Sequence, residues 1–188
     1  MDNEYIKKAI ECIIFISDKP VTVDDLLHVF NQFKRAELMN LLSELHDKWN
    51  EMSRGIELVE VSGGFQFRTV SEFSEVLTNY NKEIKKFRLS KAALEVAAII
   101  AYKQPVTRVE IEEIRGVDSS GVLGYLLNRR LIEITGRKEV IGRPFIYGTS
   151  LDFLETFGLR SLKDLPDLKE IKEFEDSFNG FNMNLQKL

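Results

Sequence analysis

The stretches 9–27, "AIECIIFISDKPVTVDDLL", and 93–113, "ALEVAAIIAYKQPVTRVEIEE", can be aligned on a shared Pro-Val-Thr triplet. Both open with alanine, an aliphatic residue and glutamate. An apolar run follows in each, and a lysine comes shortly before each proline, with Gln104 as the single insertion. This agreement favours duplication of one structural unit over chance.

The triplet predicts a joint between two helices. Proline cannot continue the helix before it, and it biases the preceding residue towards an extended conformation. Thr22 and Thr107 are then good N-caps for the next helix, with Asp25 and Glu110 three residues later, as in a capping box. We expect the valine of each triplet to pack back onto the core.

A third helix and a hairpin follow each joint. In the first half an apolar stripe ending at Trp49 predicts the helix, and Ser62-Gly63-Gly64 separates two strand-like runs. In the second half Asp118 or Ser119 is expected to cap "SSGVLGYLLNRR", and a basic, glycine-bounded loop separates the next two strand-like runs. Helix, turn, helix, helix and hairpin is the winged-helix order.

We therefore predict an α+β, mainly helical fold with two tandem winged-helix domains. The predicted boundaries are 1–80 for the N-terminal domain, 81–88 for a linker, 89–166 for the C-terminal domain and 167–188 for an acidic, flexible tail. In that tail Phe174, Phe178 and Phe181 form a candidate docking motif, for which the alternative is a solubilising end that touches nothing.

Charge is distributed unevenly along the chain. The formal charge is −6 over residues 1–80, +5 over 81–150 and −3 over 151–188. A single cysteine excludes a disulfide framework and favours a reducing cytosol. No apolar run reaches the length of a membrane helix and no signal peptide is visible, so we expect a cytoplasmic protein.

Catalytic and metal-binding classes have few candidate residues. Cys12 could act as a thiol nucleophile with His28 or His46, but we expect Cys12 to fill the core from an apolar helix. A zinc site needs about four ligands, which one cysteine and two scattered histidines do not supply. We predict no enzymatic activity, no cofactor and no metal.

The second half combines a smooth third helix with a basic wing. "SSGVLGYLLN" has no arginine, lysine or glutamine to contact a base edge, which favours protein packing over base readout. The alternative is a DNA-binding regulator that holds phosphates through the wing. The candidate partner-binding residues are Tyr102, Arg108, Tyr125, Arg129, Arg130, Arg137, Lys138 and Arg143.

Residues 89–166 strongly resemble the bacterial segregation and condensation protein B (ScpB) family. The elements that carry the resemblance are "AYKQP" at 101–105, "EIRGV" at 113–117, and "GRP" at 142–144 with "YGT" at 147–149. Residues 1–80 match the family in organisation only.

The resemblance implies a non-enzymatic scaffold. It implies a homodimer formed mainly through the N-terminal domains, and binding to the kleisin subunit ScpA and through it to the SMC ATPase. Such a complex acts in chromosome condensation and partition during cell division, so a nucleoid-associated location is implied, with DNA contact indirect or weak and non-specific.

Overall fold

The computed structural model describes residues 2–80 and 89–167, which we call the first and second domains. The predicted linker, 81–88, and the predicted tail beyond Asp167 lie outside the described residues, as do its three phenylalanines. The elements of the first domain are α1 (Asn3–Ile16), α2 (Val23–Val29), α3 (Arg35–Asn50), β1 (Ile56–Val61), β2 (Gly64–Thr69) and α4 (Ser74–Tyr80).

The second domain repeats this order up to the hairpin. Its elements are α5 (Lys91–Lys103), β3 (Val106–Thr107), α6 (Arg108–Arg115), α7 (Ser120–Asn128), β4 (Ile132–Arg137), β5 (Phe145–Thr149) and α8 (Leu151–Phe157). β1 and β2 form one antiparallel hairpin, and the order β3-β5-β4 forms an antiparallel sheet. The prediction of two winged-helix units is confirmed.

Both Pro-Val-Thr triplets form the predicted joint. Thr22 and Asp25 complete a capping box at the start of α2, and Thr107 and Glu110 complete another at the start of α6. The valines are buried, as expected. The structure adds that each joint pairs with its wing: Val106 and Thr107 form β3 against β5, and Val21 makes an isolated bridge to Phe65.

Close packing at the first joint requires a glycine in the hairpin. A Cβ atom built on Gly64 would lie 2.8 Å from the carbonyl carbon and oxygen of Val21. Real Cβ atoms do not approach backbone that closely. Gly64 therefore lets β2 run against the joint, where the backbone of Val21 and Phe65 exchange hydrogen bonds of 2.8 and 2.9 Å.

Among the described residues each domain has its own hydrophobic core, and no buried side chain there belongs to both cores. The first core combines α1, α2, α3 and the hairpin, and its members include Ile6, Ile10, Ile14, Leu26, Leu38, Leu42, Leu45, Leu58 and Phe65. The second combines α5 to α8 with its sheet, and its members include Val96, Ile100, Ile111, Leu123, Leu126, Leu131, Ile132 and Phe153.

Two expectations from the sequence need correction. Cys12 is exposed and does not fill the core, because it lies on the side of α1 opposite the buried Ile6, Ile10 and Ile14. Ser119 is the N-cap residue of α7, yet its side chain makes no cap hydrogen bond. Its hydroxyl instead accepts from Arg115 at 2.8 Å.

Candidate functional site

The outward side of α7 presents a smooth surface of Gly121, Gly124, Tyr125 and Asn128, which we call the α7 face. Residues three and four apart lie on one side of a helix, so these four share a face. A Cβ atom built on Gly121 or Gly124 would meet nothing within 4 Å. The internal packing of the domain therefore does not require glycine at either position. Glycine in a helix interior also costs about 0.5–1 kcal/mol of stability relative to alanine, so its presence needs another explanation.

Aromatic and cationic side chains border this face. Tyr125 is 37% exposed, and the Arg129 guanidinium lies 5.6 Å from the centre of its ring. Arg130 follows at the end of the helix with a positive φ of 57° and an exposed side chain. The predicted residues Tyr125, Arg129 and Arg130 are therefore close together in the structure.

The cations of the second wing lie beside carboxylates or an aromatic ring. Lys138 Nζ is 2.5 Å from Glu110 Oε1, and Arg143 Nη2 is 2.8 Å from Glu139 Oε1. Arg137 lies over the ring of Phe145, 4.1 Å from its centroid. Two of these three cations, Lys138 and Arg143, thus have a carboxylate partner that competes with phosphate, whereas Arg137 keeps its charge.

The pKa of Glu110 records this pairing. Hydrogen bonding from Lys138, followed by hydrogen bonds from the backbone and hydroxyl of Thr107, lowers the pKa of the Glu110 carboxyl from 4.5 to about 2. One carboxylate thus caps α6 and fastens the wing to it. The capping-box prediction for Glu110 is confirmed, and the structure adds the contact of its carboxylate with Lys138 of the wing.

Three other predicted residues lie apart from the α7 face or differ in setting. Tyr102 on α5 donates its hydroxyl to the carbonyl of Pro166 at 2.7 Å, which gives it a structural contact. Arg108, the first residue of α6, lies 3.6 Å from Glu112. Arg143 lies in the loop before β5, two residues ahead of the strand.

The loop between β4 and β5 also presents apolar side chains that the sequence analysis missed. Ile141 is fully exposed and Val140 is half exposed at its tip. The loop is held by hydrogen bonds from Lys138 N to Pro144 O and from Arg137 Nη1 to Arg143 O, at 2.9 and 3.0 Å.

The first domain presents a second surface, on the side of α1 away from the core. We call this stripe of Tyr5, Cys12, Phe15 and Ile16 the α1 face; Phe15 and Ile16 are 74% and 77% exposed. A groove of about 560 Å³ borders it on the hairpin side and one of about 630 Å³ on the α2 side. The spacing of Phe15 and Ile16, off the buried stripe of α1, was the signal that could have identified this face.

Within residues 2–80 and 89–167, no group of three or more His, Cys, Asp or Glu side chains could hold a metal ion. In the same ranges no helix is long and apolar enough to cross a membrane. These observations and the two exposed faces define the class: a tandem winged-helix protein whose candidate sites are surfaces.

The chain belongs to the family of the segregation and condensation complex subunit ScpB, whose family model matches residues 8–168.

Individual relatives agree with this family. The chain is similar to segregation and condensation protein B of Syntrophotalea carbinolica, at 47% identity over 86% of this chain and 81% of the relative. It is also similar to the protein of that name from Myxococcus xanthus, at 44% identity over 86% of this chain, but it spans only 49% of that relative's length. A crystal structure of ScpB from Mycobacterium tuberculosis is 30% identical over 85% of this chain and 98% of that chain, with a TM-score of 0.41.

Proposed function

We propose that this chain is a non-enzymatic scaffold subunit of a bacterial SMC–kleisin complex that acts in chromosome condensation and partition. In this proposal two chains associate through their first domains, and the second domains bind the kleisin subunit ScpA, which connects them to SMC. The observation that carries the binding role is the α7 face, whose two glycines have no role in internal packing.

The α1 face supports the proposed self-association. It exposes two large apolar side chains between two grooves, and exposed apolar surface of this kind is typical of protein interaction sites. A second copy of the same face would cover it with matching apolar surface, and a symmetric dimer uses the same patch on both subunits.

The α7 face supports the proposed contact with the kleisin. Glycines without Cβ atoms allow another backbone to approach closely, and Tyr125 beside Arg129 supplies the aromatic and cationic side chains that are enriched in interfaces. In this family context the winged helix would serve protein docking. The ion pairs of the second wing argue against the alternative of a DNA-binding regulator.

The test is calorimetric titration of the full chain with the kleisin subunit, together with light scattering to measure mass. We expect binding at micromolar or lower dissociation constant, and a mass of two chains before the kleisin is added. A lack of measurable binding at micromolar concentrations of both proteins would refute the proposal.

Two substitutions separate the two surfaces. Tyr125→Ser should weaken kleisin binding and leave the mass of the free protein unchanged. Phe15→Ser should lower the mass towards a single chain, and because Phe15 lies outside the core it should leave the fold intact.

A gel-retardation assay with duplex DNA tests the DNA-binding alternative. That alternative would be favoured if the chain retards DNA, if the retardation falls steeply with added salt, and if it is lost when Arg137, Lys138 and Arg143 become alanine.

A further inference from the structure

The turn of the first wing contacts the second domain. Ser62 and Gly63, at the tip of the β1–β2 hairpin, donate their backbone N–H groups to the carbonyls of Leu159 and Arg160, at 2.8 and 3.0 Å. The Ser62 hydroxyl also donates to the carbonyl of Leu151, at 3.0 Å. A turn that would be expected to point into solvent is therefore bound to the segment 151–160, which contains α8.

Side chains of β2 extend this contact along α8. Arg68 Nη2 donates to the Glu155 carbonyl at 2.8 Å, and Gln66 Nε2 donates to Glu155 Oε1 at 3.1 Å. The last carbonyls of a helix lack partners within it, and a cation near them is favourable because of the helix dipole. Arg68 therefore fits the end of α8 in both hydrogen bonding and charge.

The contact includes hydrogen bonds between backbone groups and polar side chains of the two domains. The buried core of the first domain lies entirely within residues 6–65, and that of the second within residues 93–153, so the contact between the domains does not share a core. Each of these hydrogen bonds replaces hydrogen bonds to water in the separated domains, so its net contribution to stability is modest. Interfaces of this kind between domains permit relative motion.

We propose that the Ser62-Gly63 turn, together with Gln66 and Arg68, is a latch that binds the segment 151–160 of the same chain. The chain exchanges between a latched arrangement and an unlatched one, and the latch sets the angle between the α1 face and the α7 face. The interaction surface is the carbonyl-rich end of α8, and its partner is the first wing. This proposal does not depend on the proposed function.

The test measures distances within one chain by pulsed electron paramagnetic resonance. In a Cys12→Ser background, spin labels are attached at Asn40→Cys on α3 and Glu113→Cys on α6, both exposed positions. Labelled chains are mixed with an excess of unlabelled chains, so that only distances within a chain contribute. We expect one dominant distance, which corresponds to the latched arrangement.

The substitutions Ser62→Ala and Arg68→Ala together should reduce the ratio of latched to unlatched chains by roughly two- to tenfold for each hydrogen bond lost, and the distance distribution should broaden. Arg35→Ala is the matched control, because Arg35 is an arginine of the same domain whose ion pair is with Asp24 on the surface. It should leave the distribution as in the parent protein.

Circular dichroism should show the same helix content in all variants, since the latch lies outside both cores. If the double variant is not folded, the single variant Arg68→Ala is used for the distance measurement instead. A parent protein without a dominant distance, or a latch variant with the parental distribution, would overturn the proposal. The proposal would also be overturned if the dominant distance appeared only in a mixture of two singly labelled chains, because the contact would then join two copies of the chain.

Discussion

Replacing the two glycines of the α7 face by alanine should raise the stability of the fold and lower its affinity for the kleisin. Gly124 lies in the interior of α7, where alanine is favoured by about 0.5–1 kcal/mol, and Gly121 lies in the first turn, where a smaller gain is expected. Apart from the adjacent backbone of α7, no atom of the described residues lies within 4 Å of either added Cβ, so no clash offsets the gain. The double variant should therefore be more stable by about 1 kcal/mol.

Thermal unfolding followed by circular dichroism measures the first half of this prediction. For a domain of this size, a gain of that order raises the midpoint of the second domain's transition by roughly 4–8 °C. Trp49 is the single tryptophan and lies in the first domain, so the transition seen by its fluorescence should not move. Titration with the kleisin should show affinity about ten- to a hundredfold lower, since two methyl groups overfill a close contact.

Gly64→Ala is the contrasting control. The same chemical change there puts a Cβ atom 2.8 Å from the backbone of Val21, so the first domain should lose roughly 1–3 kcal/mol. If the α7 variant loses stability, the α7 face is packed internally and the reasoning from open space is wrong. If it gains stability and binds the kleisin as tightly as the parent, the α7 face is not the docking site.

Three further predictions follow from individual contacts. The pKa of the Glu110 carboxyl in the folded protein is below its ordinary value, so its ionisation adds stability above about pH 4.5, and this stability is lost as the pH falls towards 2. The midpoint of its NMR titration should lie near 2 and return towards 4.5 in Lys138→Met. Leu42→Ala should destabilise the first domain by about 2–5 kcal/mol, measured by the fluorescence of Trp49, whereas Leu126→Ala should leave that transition in place because the cores are separate. Cys12 should react quickly with a thiol reagent in dilute protein and become protected as concentration drives self-association, and a reaction rate independent of concentration would contradict a dimer through the α1 face.

The sequence predicted the features that depend on neighbouring residues. Capping at Thr22 and Thr107 and the Ser62-Gly63 turn are decided within a few residues, so their signals are present in the chain. The order of these local elements was sufficient for the winged-helix prediction.

The features that the sequence missed depend on contacts between distant residues. Lys138 meets Glu110 across 28 positions, and Ser62 meets the carbonyl of Leu151 across 89. Residue types show that Lys138 and Glu110 carry charge but not that they neutralise each other. Exposure on α1 was also misjudged, because Cys12 was assigned to the core from its place in an apolar helix, although it lies off the buried stripe of Ile6, Ile10 and Ile14.

The Pro-Val-Thr joint has a consequence for how the chain could diversify. Its strength comes from backbone pairing with the wing and from the two side chains of a capping box, so it places few demands on the other residues that face outward. Substitutions that change surface charge or shape therefore leave the joint intact, and a duplicated unit can acquire a new partner without first losing its fold. The first domain, with a formal charge of −6 over residues 1–80, and the second domain, whose cations gather at the end of α7 and on its wing, are two outcomes of that freedom on one framework.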